Sequence, residues 1–201
     1  MAALNVLVAG ATGAVGSALV PHLRAQGMNV IPHVRPKSAA KTSDPQALVI
    51  DLADAAKLDA AMAGVDAVVC LVGTMRNRFA AGDTYETSDY LPVKHLAESA
   101  RRAGGRPFIL LSSLGARPGG GYLGWKFKAE QELHGLPHAI LRPSFLDDGK
   151  ERRPPALLRP LFGALPADWR TMPVEVLCRA IEKLLRGPLP NRVLTGRDLW
   201  A

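Results

Sequence analysis

Three glycines at a spacing of three, Gly10, Gly13 and Gly16, stand directly behind a short apolar run, Leu4–Ala9. The run reads as a buried strand. Behind the glycines Val15, Leu19 and Leu23 recur at helical spacing up to a stop near Gly27. Glycines at such a strand-to-helix turn serve three ends: a tight turn, a close approach of pyrophosphate to backbone, and close packing of helix on sheet. The helix N-terminus then presents free N–H groups and its positive dipole end to the phosphates. In this context Gly10-Ala11-Thr12-Gly13-Ala14-Val15-Gly16 predicts a dinucleotide site, held by Gly10, Thr12, Gly13, Ala14, Val15 and Gly16.

The rest of the chain repeats the alternation. Further strands are expected at Asn29–Val34, Ala47–Ile50, Val65–Val72, Phe108–Ser112 and Ala139–Leu141. Helices are expected at about Ala53–Ala63, Tyr85–Ala103, residues 122–134 and Pro173–Arg186. Continuously apolar strands separated by helices mean a parallel sheet covered on both faces, a doubly wound α/β fold. A Pro-rich stretch at Arg152–Pro160 precedes the last helix, so residues 145–201 read as a short C-terminal helical extension. At 201 residues the chain is expected to form a single domain.

Which dinucleotide is bound depends on charge at the end of the second strand. Binders of NAD place an acid there for the ribose 2′-hydroxyl. No Asp or Glu lies between Gly16 and Ser43, and the strand ends instead in His33-Val34-Arg35-Pro36-Lys37. A guanidinium and an ammonium suit a 2′-phosphate, so Arg35 and Lys37 predict NADP over NAD. Asp51-Leu52 follows the third strand, where the carboxylate either accepts from the adenine amino group or caps a helix, a role for which Asp54 competes. Gly73-Thr74 follows the fourth strand, at the sheet edge where a ligand must come close.

Tyr122-Leu123-Gly124-Trp125-Lys126 sets a tyrosine and a lysine four residues apart, on one face of a helix. A nearby ammonium favours phenolate and draws the phenol pKa down from its usual value near ~10. Such a phenol can donate or accept the proton of a carbonyl/alcohol pair. Ser112-Ser113 ends the fifth strand, and one of the two hydroxyls is expected to hold the substrate oxygen beside Tyr122.

The glycine loop, the Ser112-Ser113 pair, Tyr122/Lys126 and Leu141-Arg142-Pro143-Ser144 together resemble the short-chain dehydrogenase/reductase superfamily in its extended and atypical branches. Cys70-Leu71-Val72-Gly73-Thr74, Asp89-Tyr90, Leu111–Ala116, Leu161–Pro166 with Trp169, and Met172-Pro173-Val174 are similar to the HIV Tat-interacting-protein-like oxidoreductases. The resemblance implies a Rossmann fold with NADPH in the glycine loop. It implies catalytic positions at Ser112 or Ser113, Tyr122 and Lys126, with Lys126 also on the nicotinamide ribose and Pro143-Ser144-Phe145 beside the nicotinamide. The expected function is hydride transfer to or from a small carbonyl or alcohol substrate. The rival readings are an NADPH-binding regulator with little turnover and a sugar-nucleotide epimerase or dehydratase. The basic end of the second strand and the short C-terminal region argue against the epimerase.

Composition removes other classes. Hydrophobic residues make up 48% and charged residues 21%, which excludes disorder and coiled coil. The net charge of +7 suits an anionic ligand, and no nucleic-acid motif or basic stripe accompanies it. Cys70 and Cys178 lie in apolar surroundings more than a hundred residues apart, so no metal site is expected, and both read as buried thiols of a reducing compartment. The five histidines show no ligand spacing and read as surface or packing residues. No apolar run reaches the length of a membrane span, and no leader is legible ahead of Leu4, so a cytoplasmic monomer or homodimer is expected.

Overall fold

A computed structural model describes residues 3–73, 82–147, 149, 166 and 168–200. Its centre is a seven-stranded sheet of β1 (Asn5–Ala9), β2 (Asn29–Val34), β3 (Leu48–Val49), β4 (Ala67–Cys70), β5 (Phe108–Leu111), β6 (His138–Arg142) and β9 (Arg192–Thr195). The order is β3-β2-β1-β4-β5-β6-β9, and every pairing is parallel. The doubly wound parallel sheet and the Rossmann arrangement are therefore as expected.

The helices are α1 (Gly16–Ala25), α2 (Ala55–Met62), α3 (Leu91–Arg102), α4 (Gly121–Gln131), α5 (Val174–Leu185) and the single turn α6 (Gly196–Leu199). Alternation along β1 sends Val6 and Val8 to one face, against Leu19 and Leu23 of α1 and Leu177 and Ile181 of α5. Leu7 and Ala9 go to the other, with Leu58 of α2, Leu96 of α3 and Leu133 just beyond α4. Burial on both faces is why these strands read as unbroken apolar runs.

Three features depart from the pattern read in the sequence. The seventh strand β9 has no counterpart among the strands expected from the sequence; its pairing with β6 extends the sheet by one strand. A small second sheet joins β7 (Leu146–Asp147) to β8 (Met172–Pro173), so Pro173 ends a bridge and caps α5 rather than lying inside it. The helix expected from Tyr85 starts as a π-helical stretch, Glu86–Tyr90, before α3. Pro92 has no N–H to give to the carbonyl one turn back, so the ladder lacks a bond where the π-helical stretch passes into α3.

Candidate functional site

The pairing Ala9↔His33 and Ala9↔Cys70 sets the C-terminal ends of β2, β1 and β4 side by side, so the glycine loop, the basic segment and Gly73 all leave the sheet at one edge. Ligands of open α/β sheets bind at this edge. Gly10 has φ of 85°, and a Cβ there would lie 3.0–3.1 Å from the Leu71 and Val72 backbone. The Gly13 amide closes the turn on the Gly10 carbonyl at 3.0 Å. A Cβ on Gly16 would lie 2.6 Å from Ala11 backbone atoms, so helix and loop touch there. Gly13 differs, because a Cβ would meet only the Gly10 carbonyl, at 3.3 Å, and the residue is exposed. Thr12 is exposed, Ala14 half-buried and Val15 buried. No side chain caps α1. The loop thus brings close-packed glycine backbone ahead of a helix that no described side chain caps, a donor set of the kind that suits pyrophosphate.

Arg35 leads into the short 3₁₀ turn Pro36–Lys41, and Lys37 lies within that turn. Both side chains turn to Asp83: Lys37 Nζ lies 2.7 Å and Arg35 Nη1 3.9 Å from its carboxylate. Asp54 rather than Asp51 caps α2, accepting from the Lys57 amide at 3.2 Å. Asp51 is exposed and accepts from the Ala53 amide at 3.0 Å, while Leu52 is buried.

Across the edge, α4 delivers the tyrosine and lysine. Their shared face is realised: Lys126 Nζ stands 5.8 Å from the centre of the Tyr122 ring. Gly124 between them admits the loop ahead of α4, whose Gly119 carbonyl fills the space of a Cβ. Tyr122 lines an open depression with Arg117, Pro118, Gly119 and Gly120, and its ring packs on Tyr85 with centroids 5.8 Å apart. Lys126 is buried, and its ammonium donates to the Val72 carbonyl at 2.9 Å and the Leu111 carbonyl at 3.4 Å. The same nitrogen lies 3.2 Å from Oδ1 of the fully buried Asp89, in the π-helical stretch. Gly73, with φ of 149°, covers this pair; a Cβ there would lie 2.6 Å from Asp89 and closer still to Lys126. Thr74 lies outside the described residues, as do the Arg152–Pro160 stretch and residues 161–165.

The two serines separate. Ser112 is buried and its hydroxyl donates to Glu130 at 2.5 Å, on a carboxylate that also receives both arms of Arg142, at 2.8 and 2.5 Å. Ser113 is half-buried, and among the described residues its hydroxyl donates to the local Leu114 carbonyl, at 3.4 Å. Pro143 is buried at the exit of β6, Ser144 donates to the Arg170 carbonyl, and Phe145 is exposed. Asp83, Asp89, Tyr85 and Glu130 were not read as site residues from the sequence. The one available signal was Asp89, a carboxylate beside a tyrosine ahead of an apolar helix face, within a motif that carried a resemblance but no role.

A family described as NAD(P)H-binding matches residues 10–160. Protein HTATIP2 of Rattus norvegicus is 31% identical, across 92% of this chain and 82% of its own. Protein TIC 62, chloroplastic, of Arabidopsis thaliana is 31% identical across 71% of this chain; the match spans only 27% of that protein's length. Among solved structures, a short-chain dehydrogenase/reductase superfamily protein from Agrobacterium tumefaciens with bound NAD is 27% identical, with a TM-score of 0.59 over 71% of this chain and 50% of that one.

Proposed function

The chain belongs to the NAD(P)H-binding family as an atypical short-chain dehydrogenase/reductase, and from that premise we propose that it is an NADP-dependent oxidoreductase of a small carbonyl or alcohol substrate. The observation that carries this reading is that Tyr122, which lines an open depression, shares a helix face with Lys126, whose ammonium reaches the Val72 and Leu111 carbonyls at the sheet edge where the glycine loop also leaves. Gly10, Gly13 and the N-terminus of α1 would hold the pyrophosphate, and Arg35 with Lys37 the 2′-phosphate. A bound nicotinamide would supply or accept the hydride. Tyr122 supplies the proton to the carbonyl oxygen, or takes it from the alcohol, and the nearby positive charge favours the phenolate left behind. Ser113, whose hydroxyl stands apart from the Glu130 carboxylate, is the better placed of the two serines to hold the substrate oxygen; Ser112 anchors the strand end.

A second reading has its own support. The Lys126 ammonium already has two carbonyls and a carboxylate around it. An ammonium so occupied has less charge to lend a developing phenolate, which favours a regulator that holds nucleotide and turns over slowly.

Tyr122→Phe separates the two. With a panel of aldehydes, ketones and quinones read by loss of NADPH absorbance, the substitution is expected to lower turnover by about 10²–10⁴, the usual worth of a general acid. NADPH affinity should stay within a factor of about two. Full turnover in Tyr122→Phe would remove Tyr122 from the chemistry. Tight NADPH binding with no turnover on the whole panel would leave the regulator.

A further inference from the structure

Resting on the nucleotide reading above, we propose that Asp83 moderates the preference for NADP over NAD, acting as a built-in anion that shares Arg35 and Lys37 with a 2′-phosphate. The second strand ends in two cations with no acid of its own. The structure supplies the acid from elsewhere: Asp83, which follows β4 and precedes the π-helical stretch, meets Lys37 at 2.7 Å and Arg35 at 3.9 Å. β1 lies between β2 and β4, so this contact ties the exits of two strands that flank the glycine-loop strand.

The exposure of the three groups is uneven. Asp83 is 13% exposed, while Arg35 and Lys37 are 46% and 56% exposed. The carboxylate is tucked in and the cations stay open to solvent, where a phosphate can reach them. A lysine ammonium has three donors and a guanidinium five, so both can serve Asp83 and an incoming anion together.

Charge arithmetic then decides the preference. A 2′-phosphate carries close to two negative charges near neutral pH. Among these three groups it would meet two positive charges and one negative, a net +1, where Arg35 and Lys37 without Asp83 would give +2. A ribose 2′-hydroxyl meets no such penalty, and a carboxylate beside it is the acceptor that NAD sites use. Asp83 therefore moderates the preference for NADP that the strand end announces, and keeps NADH within reach.

Calorimetric titration of NADPH, NADH and adenosine 2′,5′-bisphosphate into the wild-type chain and Asp83→Asn tests this. Asn keeps the shape and removes the charge. Asp83→Asn should bind NADPH and the bisphosphate roughly 3- to 10-fold tighter, as expected for one unit charge removed a few ångströms from a dianion in a partly solvated site. NADH should bind no tighter than to the wild type. Unchanged or weaker NADPH binding by a folded Asp83→Asn, with the wild type binding nucleotide, overturns the role of Asp83 alone. Failure of both proteins to bind any of the three ligands overturns the nucleotide reading and this inference with it. If Asp83→Asn unfolds, Asp83→Ser replaces it under the same expectations.

Discussion

Gly13 and Gly16 occupy one turn and answer to different constraints. A Cβ on Gly16 runs into backbone of the same loop, so Gly16→Ala forces loop and helix apart. We expect it to cost about 1–3 kcal/mol in chemical denaturation, the usual range for overpacking. At Gly13 the protein itself leaves room, with only the Gly10 carbonyl at 3.3 Å. Gly13→Ala should keep its stability within about 1 kcal/mol and lose at least ~10-fold in nucleotide affinity, because the methyl would enter the space that the proposed phosphate site needs. Wild-type nucleotide affinity in a folded Gly13→Ala would place the phosphates elsewhere. Gly13 and Gly16 were legible in the sequence because spacing alone identifies them. Asp83 and Asp89 were not, since each takes its meaning from a partner dozens of positions away, Lys37 in one case and Lys126 in the other.

Among the elements, α4 carries the two side chains on which the proposed chemistry rests, and it is fastened to the sheet. Its Glu130 receives the Ser112 hydroxyl from the end of β5 and both arms of Arg142 from the end of β6. One buried carboxylate thus fixes the helix against two strands. Glu130→Ala removes the acceptor and leaves the Arg142 guanidinium without its counterion. Because Arg142 is only half-buried and can be hydrated, the expected loss is about 1.5–3 kcal/mol in urea unfolding, the range for hydrogen bonds to a charged group. A loss under about 1 kcal/mol would show that the clasp adds little. The spacing of Tyr122 and Lys126 announced α4 and the face they share. Which serine lay in the clasp was not legible, because neighbouring residues at a strand end differ only in the direction their side chains take. The strands β7 and β8, of two residues each, carry too few positions for a period to register. β9, Arg-Val-Leu-Thr, follows a Pro-rich turn and alternates only once.

At the scale of the whole molecule, stability responds to pH through groups on several elements. His33, buried in β2, donates to the Ile50 carbonyl, and burial holds its pKa below the usual 6.5. The unfolded chain takes up a proton that the folded one refuses, so stability falls as pH drops below about 6.5. Hydrogen bonds from Arg24 and Arg102 hold Asp44 and Asp59 below the ordinary 3.8, so their contributions are lost only at more acid pH. Thermal unfolding between pH 7 and 5.5 should therefore show a fall in midpoint that His33→Gln flattens; an equal fall in that variant would assign the effect to other groups. Among the described residues no helix is long and apolar enough to cross a membrane. The strand order has one more consequence, for how the molecule assembles during synthesis. β1 is made first, β2 and β3 add outward on one side, and β4, β5, β6 and β9 add outward on the other. No strand has to be threaded between two already paired, so the sheet can grow by accretion as the chain emerges from the ribosome. Until residue 195 is clear, the growing edge is β6, whose Ala139, Ile140 and Leu141 are buried in the finished sheet. A nascent chain stalled before that point presents an unpaired apolar edge, the feature most prone to capture by another chain.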